Sequence, residues 1–568
     1  MKRIIKNIWV LLVVIYLGSC TSGYLDINDD PNNPTEAVMD QLLSGGEYFM
    51  VQALGQGNFI GNNLSSYVHQ LVSREVQNYG MTPGANNTLN TWNYLYRYAL
   101  PAYDAIIKAG EEDDNLIYAG VAKTLKAYSF SVMVDLWGDI PYSEFNVEGL
   151  NSPKPDSSKD IYNSLLALLE EANADLNNKE AGNGLKPGVD DFFYGGSVDK
   201  WTKLNNTLQL KLLTQSRKAK SDITGWDSKL SSLISKNEFI ESGGDLQFWF
   251  NEKTTPQDMR HPAVLNYAGQ QTYYVSPFFY ETMMGQTFNT TDNPFSGIED
   301  PRVPYYFVNQ LKTGGTPENA HEYRNGNFMS IFFASNGNNA SGSNDKSLTK
   351  VGVYLTGGKY DTGEGGAITL LSEYGNAPHK MVMYYSLKFM MAELVLAGEI
   401  SGDAKVLLSD GIKASFAHVN RVVEEQPQIT INVGTDNEKK ADMPKISDEA
   451  VSEYISAVLQ KYDAANADGK MRIVMTQKWI ANFFNPIDSY TDYRRTGYPV
   501  LFDPEKTQDP GNGVNLVVTD RSPKVVPLVN IASFPRSLYY PTNSETELNS
   551  NMVQKRNLST PIVSRDKK

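Results

Sequence analysis

Apolar positions recur at helical spacing through the first 240 residues. The run 91–109 (TWNYLYRYALPAYDAIIKA) carries aliphatic and aromatic groups three and four apart, and 115–137 (NLIYAGVAKTLKAYSFSVMVDLW) extends that pattern into one long apolar helix. Residues 159–176 and 199–219 read as two further helices, the second with Arg217 and Lys218 near its C-terminal end, where cations suit the helix dipole. Asn33-Pro34-Thr35-Glu36 has the order of a helix start: a capping Asn, Pro at the first position and Glu at the third. From about 240 to 375 the pattern breaks. Gly, Asn and Pro alternate with aromatics (QFWF, QTYYVSPFFY, PYYF, GGKYDTGEGG), which predicts loops and short strands on a helical frame. Helical periodicity returns at 380–398, 403–421, 447–465 and 471–484, and the tail from 485 to 568 reads as proline-studded loop. The pair 380–398 and 403–421 has the look of a tetratricopeptide hairpin without its strict repeat signature. The expected fold is therefore mostly α, an irregular tetratricopeptide-like frame of helical hairpins with a loop-rich, short-strand middle and C-terminal region.

The N-terminus follows another pattern. Lys2, Arg3 and Lys6 precede an apolar run from Ile8 to Leu17, too short for the roughly 20 residues that span a bilayer. A charged head, a short apolar body and a small-residue exit describe a secretory signal. The exit, Leu17-Gly18-Ser19-Cys20, resembles the bacterial lipobox, in which the cysteine sulfur takes lipid and cleavage falls before it. Cys20 is the only cysteine in 568 residues. Lipid on it would explain a lone thiol, and each buried methylene would add about 0.8 kcal/mol of anchoring. The alternative is an ordinary signal peptide with an incidental cysteine. The expected organisation is a signal peptide over 1–19, a lipidated cysteine and tether over 20–33, and one helical domain over 34–568 with its loop-rich insertion at about 240–375.

Removing the three leading cations leaves 48 basic against 65 acidic residues, a formal charge of −17. That balance argues against nucleic acid as a partner and offers no polybasic segment for anionic lipid. The most apolar later stretch, Lys380 to Gly398, contains Lys388 and Glu393 and reads as a core helix.

Enzyme signatures are missing from the sequence. There is no G-x-S-x-G; Gly357-Gly358-Lys359 lacks phosphate-loop spacing; Gly55, Gly57 and Gly61 miss G-x-G-x-x-G by one residue. His69, His261, His321, His379 and His418 are dispersed, with no H-E-x-x-H. Asp26, Asn28 and Asp30 have the start of a calcium loop, but Pro31 and Ala37 stand where it needs Gly and Glu, so they read as solvated tether. No cofactor or metal is expected. A pair of catalytic carboxylates far apart in the chain stays open.

Several segments resemble the SusD/RagB family of nutrient-binding outer-membrane lipoproteins. They are the N-terminal WVLLVVIYLGSCTSGYLDINDDPNNPT, VMVDLWGDIPYSE at 132–144, DIYNSLLALLEEANADL, the hairpin at 386–417, QKWIANFFN, DYRRTGYPVLFDP and FPRSLYYPTNSETELNSN, in the family's order over nearly the whole chain. DINDDPNNPT and WTKLNNTLQLKLL are similar to the branch whose ligands are often unassigned. The resemblance implies a lipoprotein on the outer face of the outer membrane. It would bind an oligosaccharide or peptide and deliver it, as a hinged lid, to a SusC-type TonB-dependent transporter. The alternatives are a surface-anchored carbohydrate-active enzyme and a structural surface-layer protein.

A binding role needs aromatic faces for sugar C–H patches and polar groups for hydroxyls. Two regions hold that mixture: Asn78, Tyr79, Met81, Asn86, Asn87 and Trp92, whose loop lies near the ligand face in the family; and Tyr273, Tyr274, Phe278, Phe279 and Tyr280 in the variable middle. Core packing is the rival reading for both. Trp137-Gly138-Asp139-Ile140-Pro141-Tyr142 reads as a structural corner, since Gly ends a helix and Pro stops its continuation. Arg494 and Arg495 are expected to pair with carboxylates inside the fold.

Overall fold

A computed structural model describes residues 38–55, 59–73, 79–80, 86–265, 273–287, 292–317, 322–334, 347–368, 374–432, 438–501, 516–517, 523–524 and 532–559. The predicted helix start at Asn33 lies outside these. Seventeen α-helices and only short strands occur among them, so the fold is mostly helical, as the periodicity requires. The N-terminal layer comprises α1 (Met39–Leu54), α2 (Phe59–Tyr67), α3 (Asn86–Tyr94), α4 (Leu100–Glu112), α5 (Leu116–Trp137), α6 (Ser158–Leu176), α7 (Val198–Ser216) and α8 (Trp226–Lys236). The predicted helix 91–109 is thus divided: a π-turn at Leu95–Ala99 joins α3 to α4.

Helix α5 is apolar on every side and almost wholly buried, which places it in the centre of its layer. Helices α4 and α6 flank it. The crossing with α6 is close because position 120 is glycine: a Cβ there would stand 2.7 Å from Leu176 Cγ and 2.9 Å from the Ala172 carbonyl oxygen. Helix α6 begins at Ser157, whose hydroxyl accepts the Asp160 amide at 3.2 Å.

The C-terminal helices repeat the device. After six short elements, β1 (Leu71–Ser73), β2 (Leu246–Trp249), α9 (Pro262–Leu265), β3 (Tyr273–Val275), α10 (Pro277–Met283) and α11 (Val303–Tyr306), come β4 (Phe307–Val308), β5 (Tyr323–Asn325), β6 (Phe328–Ser330), β7 (Lys350–Val351), α12 (Val353–Thr356) and β8 (Pro378–Val382). Then α13 (Tyr384–Leu396) and α14 (Ala404–Glu424) form the predicted hairpin, with Gly411 under the Phe389 ring, where a Cβ would be 2.7 Å from Cε1. Helices α15 (Asp448–Ala464) and α16 (Ala467–Ala481) follow as expected. Among the described residues the strands pair only as two-stranded antiparallel ribbons, including β1–β3, β2–β8, β4–β7 and β5–β6. One apolar cluster of buried side chains reaches from Met39 to Met552.

The tail departs from expectation. Pro486–Thr496 is an eleven-residue helix, α17, with Pro at its first turn and Gly497 closing it at φ 81°. Its buried face is polar. Arg495 donates to both carboxylate oxygens of Glu393 on α13, and its Nη2 also lies 2.7 Å from Asp492. Arg217 at the end of α7 reaches Glu393 at 3.2 Å, and Lys478 on α16 reaches Asp492 at 2.7 Å. Burial alone would raise both carboxyls; Arg495 and the other cations hold Glu393 and Asp492 below their ordinary values. Arg495 therefore pairs with carboxylates as expected. The Arg494 guanidinium donates to the carbonyls of Asp135 and Arg536.

The Trp137–Tyr142 segment is a corner held from inside. Gly138 turns at φ 77°, Asp156 accepts from the Tyr142 and Ser143 amides at 2.9 and 2.8 Å, and Tyr540 donates to the Asp139 carbonyl at 2.6 Å. Trp137 Nε1 donates to the Tyr539 carbonyl at 3.0 Å, and Lys555 donates to the carbonyl of Trp137 at 2.5 Å. The C-terminal tail thus closes over the end of α5.

Two measurements check these assignments. Glu393→Gln leaves Arg495 and Arg217 without their shared carboxylate, and urea unfolding should show a loss of about 3–5 kcal/mol. Glu281 on α10 is pushed up to about 7 by burial, partly offset by the Asn325 amide at 3.0 Å. Its folded value lies above the unfolded one, so it costs stability increasingly from about pH 4.5 to 7 and fully above that. Glu281→Gln should therefore raise stability at pH 8 by up to about 3 kcal/mol, and the gain should vanish below pH 4.5.

Candidate functional site

Of the first region singled out in the sequence, Tyr79 comes near the second through His69, whose ring lies against both Tyr79 and Phe278. β1 pairs antiparallel with β3, setting Leu71 opposite Val275, Val72 opposite Tyr274 and Ser73 opposite Tyr273. The ribbon is fixed at its base: the Ser276 amide donates to the Gln70 carbonyl, and Ser330 Oγ donates to the Val275 carbonyl at 2.6 Å. Gln70 and Trp479 of α16 clamp one another, Gln70 Nε2 reaching the Trp479 carbonyl at 2.8 Å and the indole N–H reaching the Val68 carbonyl at 3.1 Å.

Tyr79 sits beside this ribbon. Its ring centroid lies 4.8 Å from that of Phe333 and 5.3 Å from that of Phe534, and its hydroxyl is hydrogen-bonded to His69 Nε2. His69 also packs on Phe333 at 4.5 Å and on Phe278 at 6.2 Å. Both His69 (φ 56°) and Tyr79 (φ 60°) hold left-handed backbone, which costs a non-glycine residue about 1–3 kcal/mol. Burial pushes His69 down to about 3, so its ring is neutral at physiological pH. The cluster is an apolar, uncharged floor under strain. Its rim is half-exposed and polar: Ser73, Asn63, and Tyr273, whose hydroxyl donates to Asn63 Oδ1.

The individual predicted residues fare differently. Asn78 and Met81 lie outside the described residues. Asn86 and Asn87 open α3. Trp92 is 1% exposed; its indole donates to Glu545 at 2.8 Å and packs edge-on against Trp137 at 5.2 Å, so it is a core ring. In the second region Tyr274, Phe278, Phe279 and Tyr280 are buried, not on a loop: the first in β3 and the others on α10, where Phe279 packs on Trp479 and Phe483 and Tyr280 stacks on Phe328 at 3.8 Å. The physical reason is shared. Each ring finds other aromatic faces and satisfies more apolar area inside than at the rim. Tyr273 alone of the five keeps exposed surface at a ribbon edge, and Tyr79 is covered down to 6%.

Sequence reading missed Phe333 and Phe534, which complete the floor, and it missed an outlying group of rings on the surface. Tyr98, 47% exposed, stacks on Phe49 at 4.6 Å, with Tyr94 edge-on to both. The π-turn is what rotates Tyr98 out of the α3 register.

The crevice beside Phe278 and Trp479 holds about 10 Å³, room for roughly one water and no sugar ring. Larger hollows occur elsewhere. One of about 600 Å³ lies between α6, α7 and α8, and one of about 750 Å³ lies between α14 and α15; neither has an aromatic in its lining. Among the described residues, no group of three His, Cys, Asp or Glu could hold a metal, and no helix is long and apolar enough to cross a membrane.

Solved structures share this architecture. A chitin-binding SusD homologue from Flavobacterium johnsoniae superposes with TM-score 0.61 at 19% identity, covering 92% of this chain and 98% of its own. A SusD homologue from Bacteroides fragilis NCTC 9343 gives 0.61 at 17% identity over 91% and 94% of the two chains. A further chitin-binding protein gives 0.63 at 18% identity over 90% and 95%. At these identities the likeness is one of fold. No curated protein matches the sequence. The sequence model of a family described as starch-binding and associating with the outer membrane matches residues 31–521, and with most of its length so matched this chain belongs to the SusD-like family.

Proposed function

We propose that the protein is a surface lipoprotein of the outer membrane that binds an oligosaccharide and passes it to a TonB-dependent transporter of the SusC type, acting as its lid. Membership of the SusD-like family over residues 31–521 carries this reading. Two of the similar structures, the homologue from Flavobacterium johnsoniae and the further chitin-binding protein, are described as chitin-binding, which favours a glycan over a peptide. The anchor is lipid on Cys20, outward-facing, with residues 34–568 as one helical body.

The ligand face is the rim of the β1–β3 ribbon. Tyr273 offers a ring face to the C–H patch of a sugar, while Asn63 and Ser73 offer hydrogen bonds to its hydroxyls. The aromatic floor beneath excludes water and fixes the rim's geometry, so little ordering is needed on binding. Affinity comes from stacking and hydrogen bonds, with no bond made or broken.

Calorimetry of residues 21–568 against chito- and malto-oligosaccharides and oligopeptides tests the reading. Saturable heat with a glycan and no product is expected; release of reducing ends would favour the anchored-enzyme alternative. Tyr273→Ala should weaken that binding by about tenfold, the worth of one aromatic contact, whereas Tyr98→Ala should leave it unchanged. Cys20→Ala should appear in the soluble fraction with an unaltered melting temperature. A Cys20→Ala form still acylated and membrane-bound would refute the anchor.

A further inference from the structure

The loop between α6 and α7 is unusually fixed for a segment that shows apolar side chains to water. Leu185 is 59% exposed, Phe192 47% and Val189 100%. Soluble surfaces carry such residues singly without consequence; three within eight residues of one loop are another matter. The backbone around them is tied down on both sides. The Leu185 amide donates to Asn115 Oδ1 at 2.8 Å, Asn183 N to the Asp114 carbonyl at 2.8 Å, and Gly188 N to Asp190 Oδ1 at 2.7 Å. Asp191 accepts from the amides of Phe193, Tyr194 and Gly196 and from the Trp201 indole, all between 2.7 and 3.1 Å. Gly196 turns there at φ 77°, in a spot where a Cβ would collide with the Pro187 carbonyl at 2.0 Å.

The same loop is fastened to the first helix. Phe192 N donates to Glu47 Oε2 at 2.8 Å, and Ser44 Oγ to the Asp190 carbonyl at 2.9 Å. Tyr118 at the start of α5 donates to Asp190 at 2.9 Å. The loop is therefore held against the first half of α1, and Val38, just before that helix, is itself 56% exposed. From there the chain has 18 residues back to Cys20, a reach of roughly 60 Å at most. Exposed Asp40, Asp113, Asp114 and Glu180 lie on the segments that the loop is tied to or continues from, against Lys179 and, within the loop, Lys186.

We infer that the rigid loop 185–192, with Val38, is the docking surface for a membrane-embedded protein partner whose contacting face has an apolar centre and a basic rim. Preorganisation lowers the entropy that an interface must overcome, which is the advantage of tying down a loop with apolar residues at its tip. The acidic border selects the partner. A phosphate-bearing lipid surface would be repelled by it, and a second copy would set like charge against like. The inference rests on the transporter reading above, in which the partner is the extracellular face of the barrel.

The test uses the full lipidated chain in its native outer membrane, extracted in mild detergent and purified by a C-terminal tag. Wild type should retain a TonB-dependent barrel. Val189→Asp, which touches nothing in the fold, should retain at least tenfold less, with melting temperature and glycan heat unchanged. A photo-crosslinking residue at position 189 should attach to that barrel. Equal retention by Val189→Asp, or adducts at 189 only to lipid or to a second copy, would overturn the docking assignment while leaving the transporter reading intact. A wild-type chain that retains no barrel would overturn both.

Discussion

Five charged groups, four of them buried and Arg217 partly exposed, decide how the two helical layers meet. Glu393 on α13 lies between Arg495 of α17 and Arg217 at the end of α7, and Asp492 lies between Arg495 and Lys478 of α16. Each carries a desolvation cost of several kcal/mol, so the arrangement is tolerable only when every partner is in place. An apolar interface of the same size would accept small slips of one helix along another. This one does not, because a shift by one residue would strand a charge. Hydrophobic burial supplies the drive to collapse, and the network selects one register from the many that burial would allow. Lys211 with Asp488 and Arg302 with Asp300 extend the same logic to α7 and to the middle of the chain.

That dependence explains what was legible from sequence. Helices α5, α6, α13, α14, α15 and α16 were readable because an apolar stripe, or an all-round apolar surface, is a local property of the chain. Helix α17 was not. Its sequence, PIDSYTDYRRT, looks exposed, and only tertiary partners reveal that Asp488, Asp492, Arg494 and Arg495 face inward. The corner after α5 was legible from Gly138 and Pro141, since turn chemistry is also local. The π-turn in the middle of the predicted helix 91–109 leaves no pattern of its own, because its residues are ordinary helix formers.

At the candidate site the limit is different. A ring that stacks on a sugar and one that stacks on Phe have the same letter. The sequence placed eleven side chains at two loops; the pairing of β1, just before the first segment, with β3 brings Tyr79 near the second, yet packing takes Trp92, Tyr274, Phe278, Phe279 and Tyr280 into the core. Which ring stays outside depends on strand direction and on neighbours hundreds of residues away. Phe333 and Phe534 escaped notice for the same reason: neither has a local signal, and both are placed by distant partners, Tyr79 among them. The left-handed backbones of His69 and Tyr79 could not be read either, since neither residue type announces that conformation.

The two proposed faces are joined through one helix, α1. The docking loop is fastened near the start of α1 through Ser44 and Glu47. Near the other end of α1, the Ala53 carbonyl accepts Thr91 of α3, and the chain proceeds through α2 to His69 and the aromatic floor. Nine residues of helix separate Ser44 from Ala53, about 14 Å. If the body swings about its docked end, the ligand rim moves through the larger arc, because the helix transmits rotation without bending. Glu47 is the weak point of that lever. It is buried, its carboxyl is raised well above the ordinary range by desolvation and by Asp191, and it is held in place by the loop that it helps to hold. A lid of this kind needs stiffness between its faces, and the hydrogen bonds that fasten the loop to α1 supply it.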